Sequence, residues 1–113
     1  MSNELLKDVS EAEVMQEVKD VIKATGIKLQ RINVGCFKVG NNFIRTADNG
    51  TLDFEGYDKH GRFVAIECKR PVGGRLSPAQ RMRIDDINDK GGVAFVATSG
   101  AQALENLRVN DCI

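Results

Sequence analysis

The stretch Phe63-Val64-Ala65-Ile66, closed by Glu67-Cys68-Lys69, sets the tightest limit on what this chain can fold into. Alternate side chains of a strand leave on opposite sides, and neither side of this stretch is polar. It therefore suits a central strand covered on both faces, which requires a sheet around it and helices above and below. Its end breaks the pattern. Alternation puts Glu67 and Lys69 on one face and Cys68 on the other. A bare ion pair at the end of an apolar strand would stabilise little, so the pair asks for another reason.

The flanking sequence supplies the rest of such a fold. Ser10 to about Ala24 predicts a helix: Ser10 and Glu13 read as an S-x-x-E capping box, Val14, Met15, Val18, Val21 and Ile22 form an apolar stripe, and Gly26 ends it. Ile27 to Val34 reads as a strand, Gly35 to Gly40 as a turn region, and Asn41 to Arg45 as a short strand. Asp48-Asn49-Gly50 marks a turn. Leu52–Tyr57 and Arg62–Lys69, joined by Asp58-Lys59-His60-Gly61, read as a hairpin. After the loop Pro71–Arg75, Ser77 caps a second helix with Pro78 at its first position. That helix runs to about Lys90 and stops at Gly91-Gly92; a strand, Val93–Thr98, and a helix, Gly100 to about Leu107, follow. The fold class expected is α/β, a mixed central sheet flanked by helices. With 113 residues the chain suits one domain, 1–113.

The formal net charge is zero, so the placement of charge carries the information. Lys28 to Arg45 holds four basic residues and no acid, and Lys59 to Arg83 holds seven basic residues against the single acid Glu67. A neutral chain so arranged can still turn a basic face to phosphate. The cysteines Cys36, Cys68 and Cys112 have no CxxC spacing, which suits free thiols in a reducing compartment. One histidine, His60, cannot complete a zinc site with cysteines so scattered, and its place in a turn suits a structural or solvated role. No apolar run approaches the roughly 20 residues of a membrane helix. The expectation is a cytoplasmic protein with no membrane contact.

The chemistry gathers at Asp53, Glu67 and Lys69. Hairpin pairing can bring Asp53 near Glu67. Two carboxylates can hold a hard divalent ion, with the backbone carbonyl of Cys68 as a further oxygen ligand. Such an ion activates water and neutralises phosphate charge, while the Lys69 ammonium steadies the developing negative charge. At about 100° per residue, Glu11 falls roughly 20° from the apolar stripe of the first helix, whereas Glu13 is explained by capping and Glu17 by a solvated flank. A carboxylate on the packed face is costly, and a metal nearby would resolve that cost. The alternative account is that Glu11, in the first turn, merely favours the helix dipole.

The strings Gly61-Arg62-Phe63-Val64-Ala65-Ile66-Glu67-Cys68-Lys69-Arg70-Pro71, Gly74-Arg75-Leu76-Ser77-Pro78-Ala79-Gln80 and Gly91-Gly92-Val93-Ala94 resemble the VRR-NUC family of PD-(D/E)xK nucleases. Ser10-Glu11-x-x-Val14 and Arg31-x-Asn33-x-Gly35 extend the resemblance over about Ser10 to Leu104. It implies a restriction-endonuclease-like fold and a Mg2+ or Mn2+ cofactor. It implies metal-binding carboxylates at Glu11, Asp53 and Glu67, a catalytic lysine at Lys69, and a site glutamine at Gln80. Leu52 stands where the family usually has proline before the aspartate; that proline shapes backbone and supplies no ligand.

Crowding around this site marks Arg70, Arg75, Arg81 and Arg83 for phosphate contacts, with Lys38 and Arg45 extending the surface and Asn33 a weaker candidate. Short stand-alone members of the family resemble phage proteins that dimerise and cut four-way DNA junctions. The resemblance thus implies a branched-DNA endonuclease, a homodimer, and a phage or prophage origin. Two other readings share the fold: a catalytically silent nucleic-acid-binding module, and an exonuclease needing a free end.

Overall fold

The computed structural model describes residues 9–33, 36–45 and 48–113, with backbone alone at 36, 37, 44 and 45. Helix α1 (Glu11–Thr25) starts where the Ser10 hydroxyl accepts from the Glu13 amide, and it stops at Gly26, whose φ of 74° is the left-handed conformation glycine favours. Strand β1 (Lys28–Arg31) follows, then a ribbon of β2 (Cys36–Val39) and β3 (Asn42–Arg45). Strands β4 (Phe54–Tyr57) and β5 (Phe63–Cys68) come next. Helix α2 (Pro78–Asp89), strand β6 (Val93–Ala97) and helix α3 (Gly100–Val109) complete the order.

The main sheet runs β1-β4-β5-β6. β1 and β4 are antiparallel, as are β4 and β5, while β6 lies parallel to β5. The α/β class and the mixed sheet are as expected, and β5 is the central strand, buried from Val64 to Cys68. Val64, Ile66 and Cys68 face α1 and α3, packing with Val14, Val18, Ala103 and Leu107. Ala65 points the other way and joins Leu52, Ala94, Ile84 and Ile87 beneath α2. The continuous apolar run is thus explained by helices on both sides of one strand.

Three expectations are corrected. Cys36–Val39 is a strand, not part of a turn: it pairs with Asn42–Arg45, and the turn is confined to Gly40-Asn41. β1 ends at Arg31, short of the expected Ile32 and Asn33, and the expected end at Val34 lies outside the described residues. Glu17 is not merely solvated. Its carboxylate accepts from the Gly100 amide at 2.9 Å, which places a negative charge at the N-terminus of α3.

Gly56 is required by close approach. A Cβ there would lie 1.8 Å from the Lys28 carbonyl oxygen. Gly56→Ala is therefore expected to push β1 off β4 and destabilise the protein by about 1–3 kcal/mol, read as a lower midpoint in urea unfolding.

Candidate active site

The site forms where the carboxyl end of β5 meets the chain entering β4. Phe54 pairs with Ile66, so Asp53 arrives beside Glu67 and Cys68. The Asp53 amide donates to Glu67 Oε1 at 3.1 Å, and the Cys68 amide donates to Asp53 Oδ2 at 2.8 Å. These reciprocal bonds lock the two carboxylates together. The sequence expectation that Asp53, Glu67 and Lys69 converge is met in this geometry.

Glu67 is 3% exposed. Its Oε2 receives the Lys69 ammonium at 3.0 Å and the Gln80 side-chain amide at 2.8 Å. Burial first, and the neighbouring Asp53 charge second, push its carboxyl up to about 7, although Lys69 and the Asp53 amide pull the other way. For Lys69, burial alone would lower the ammonium's pKa, but Glu67, Glu11 and Asp53 outweigh it and the net shift is upward. Lys69 thus stays charged and serves as a cation and donor, not as a base. The Cys68 thiol is pushed up to about 12 by burial, then by Asp53, Glu67 and Glu11. It remains protonated, so only its backbone carbonyl could act as a hard-metal ligand.

Glu11 departs from expectation. Its side chain is half-exposed rather than packed inward, with Oε1 4.0 Å from Lys69 Nζ. It lies in the first turn of α1, where buried contacts begin only at Val14. Among the described residues, no three His, Cys, Asp or Glu side chains form a ready-made metal cluster. The donor set at Asp53 and Glu67 nonetheless fits a hard divalent ion: two adjacent carboxyls, one of them buried and raised by burial and by its neighbour. Glu11 is the carboxylate in reach through its half-exposed side chain.

Gln80 does two jobs. Its Oε1 accepts from the Ser77 amide at 3.0 Å while its own amide donates to the Ser77 hydroxyl, a full capping box. Its Nε2 then reaches Glu67. Gln80→Ala is expected to cost about 0.5–2 kcal/mol through the cap, and it also removes the side-chain donor to Glu67 Oε2. Gln80→Glu can keep the acceptor for Ser77 but sets a carboxylate against Glu67, so thermal melts of the two variants separate the roles.

Arg31 was not singled out as a site residue from the sequence. Its Nη1 lies 3.5 Å from Asp53 Oδ1 and donates to the Asp53 carbonyl at 3.2 Å. It also bonds the Ile32 carbonyl. The available signal was its position at the end of a strand that must neighbour the Asp53 strand. Arg83, by contrast, is committed elsewhere: it grips Glu55 through two bonds of 2.9 and 3.0 Å. It is therefore removed from the phosphate-contact candidates.

Arg70, Arg75 and Arg81 do come together. With Lys69, Gly74, Val96 and Thr98 they line a cleft of about 460 Å³, joined to the carboxylate pair through Lys69. Lys38 is exposed on β2, and the Arg45 side chain lies outside the described residues. His60 is structural, its Nε2 3.0 Å from Asp111 Oδ2. Among the described residues no helix is long and apolar enough to cross a membrane. Comparison with protein-family models, curated proteins and solved structures returns no match to this chain.

Proposed function

We propose that this chain is a divalent-metal-dependent nuclease of the VRR-NUC, PD-(D/E)xK type, with the restriction-endonuclease-like arrangement of that group. Its substrate is DNA, branched and above all four-way, and it acts as a homodimer inside the cell. The observation that carries the reading is the buried Glu67, bonded to the Asp53 amide and tied to Lys69, which also lines the cleft of Arg70, Arg75 and Arg81.

Asp53 and Glu67, with Glu11 and the Cys68 carbonyl at their margin, are the groups that would hold Mg2+ or Mn2+. Such an ion supplies a Lewis acid that makes water a better nucleophile and offsets phosphate charge. The chain's own residues do the rest. The Cys68 and Asp53 amides fix the carboxylates. Lys69, held charged, stabilises negative charge as it builds on the phosphate oxygens. The arginines position the backbone without reading sequence.

The deciding experiment incubates the protein with a labelled four-way junction and with linear duplex, in Mg2+ or Mn2+. Cleavage that stops on chelation is expected, with Lys69→Ala slower by about 10²–10³-fold. Cleavage that persists at full rate with the metal removed sinks the reading.

A further inference from the structure

The β2–β3 ribbon contains the most exposed aromatic side chain among the described residues, Phe43, at 72%. Its register is Cys36↔Arg45, Phe37↔Ile44, Lys38↔Phe43 and Val39↔Asn42. Alternation sorts these positions by face. Positions 37, 39, 42 and 44 share one face, and positions 36, 38, 43 and 45 share the other. Phe43 is on the second face, with the exposed Lys38. It stands directly across from Lys38, with Arg45 at the next-but-one position on its own strand.

The ribbon's attachment is equally specific. β1 and β4 are neighbours in the sheet, and the ribbon is inserted between them. The chain leaves the sheet at Arg31 and returns at Asp53; Ile32 N donates to the Asp53 carbonyl at 2.8 Å. Both ends of the insertion are thus at the candidate site. The path from Asp53 back to Phe43 is ten residues, a reach of at most about 35 Å. That is about ten base-pair steps along a duplex.

We infer that the β2–β3 ribbon is a nucleic-acid arm in which Phe43 stacks on a base unpaired at a branch point while Lys38 holds the adjoining phosphate. Charge selects this occupant over an apolar one, because the exposed aromatic stands directly across from the exposed Lys38. A duplex offers no free base face, whereas a branch does, so a single stack confers selectivity for branched DNA. The inference rests on the nuclease reading and deepens it, giving the substrate preference a residue.

The test uses the full chain and a four-way junction carrying 2-aminopurine at the branch, with linear duplex of the same sequence as reference. Binding is followed by 2-aminopurine fluorescence in chelator, and cutting by product formation in Mg2+. Phe43→Ala is expected to lower the junction-to-duplex binding ratio about tenfold, the effect of one base–aromatic stack, and Phe43→Trp to restore it. Lys38→Ala is expected to reduce the salt dependence of binding by about one unit of slope. A parent-like binding ratio and unchanged quenching in Phe43→Ala overturn the inference, as does a shift of Phe43→Ala to a smaller assembly in sedimentation, which would assign the side chain to a second copy. Stacking without any cutting by the parent would keep the inference and remove the nuclease reading. Cutting with Phe43→Ala discriminating as the parent does removes the inference alone.

Discussion

Asp53→Asn is expected to reduce cleavage by about 10³-fold or more while leaving the metal-free protein at least as stable as the parent at about pH 8. Asparagine retains an oxygen for the Cys68 amide, which Asp53 Oδ2 accepts at 2.8 Å, so the local shape survives. The change removes the charge that helps raise the Glu67 carboxyl to about 7. The sign follows from proton counting. A carboxyl raised in the folded state binds more protons folded than unfolded between its ordinary 4.5 and about 7. Stability therefore falls as pH rises through that window. Allowing for solvent screening, the loss is on the order of 1 kcal/mol or more, roughly 4 °C or more in Tm. Melts of the metal-free parent between pH 5 and about pH 8 should show this decline, and Asp53→Asn should flatten it. Mg2+ or Mn2+ should raise the parent's Tm most at the upper end of the window, where the carboxylates are ionised, and the variant's hardly at all. A variant that melts well below the parent at every pH would show that the Asp53 charge is structural, and the metal assignment would lose its main support.

What could be read from the sequence depended on range. Ser10, Ser77-Pro78 and Gly26 mark helix ends through bonds within a few residues, and each does so in the structure. The Asp58–Gly61 turn imposes the β4–β5 register, and that register alone brings Asp53 to Glu67. Gln80 came from the family resemblance as a site residue, and its cap on Ser77, a bond across three residues, was not read from the sequence. The corrections are of another kind. Glu17 to Gly100, Arg83 to Glu55 and Arg31 to Asp53 join residues far apart in the chain, and no local pattern encodes such partners. The inward angle of Glu11 was correct for an endless helix but not for a first turn that precedes the packed part of α1. Strand β2 was hidden by its flanking glycines, although Gly40-Asn41 is itself a hairpin signal.

At the opposite end of the same hairpin, Asp58→Ala is expected to cost about 3 kcal/mol or more, the lower range for breaking a buried ion pair. Asp58 is 3% exposed. Its Oδ1 accepts from the His60 and Arg62 amides at 2.9 and 3.0 Å, and its Oδ2 from Arg62 Nε at 2.8 Å. Arg62 in turn donates to the Asn110 carbonyl, tying the turn to the chain after α3. Alanine would orphan both amides and leave Arg62 without its carboxylate, which is dearer than losing an exposed pair. Asp58→Asn keeps an acceptor for the amides and loses only the charge, so it should fall between parent and alanine. Burial pushes the Asp58 carboxyl up, but the Arg62 and His60 amides and the Arg62 guanidinium overrule it, and the net shift is below the ordinary 3.8. A carboxyl so lowered binds fewer protons folded than unfolded. Its contribution is complete above 3.8 and is lost as pH falls through the folded value. The stability gap between parent and Asp58→Asn should therefore be full at neutral pH and close in strong acid, which urea titrations at several pH values can read. Cleavage per folded molecule, measured well below the variant's Tm, should stay near the parent's, because Asp58 sits in the turn between β4 and β5, Glu67 lies near the far end of β5, and the two share no partner. A large loss of rate in fully folded Asp58→Ala would mean that the turn and the carboxylate pair are coupled along the strand, against the independence their separate bonding implies.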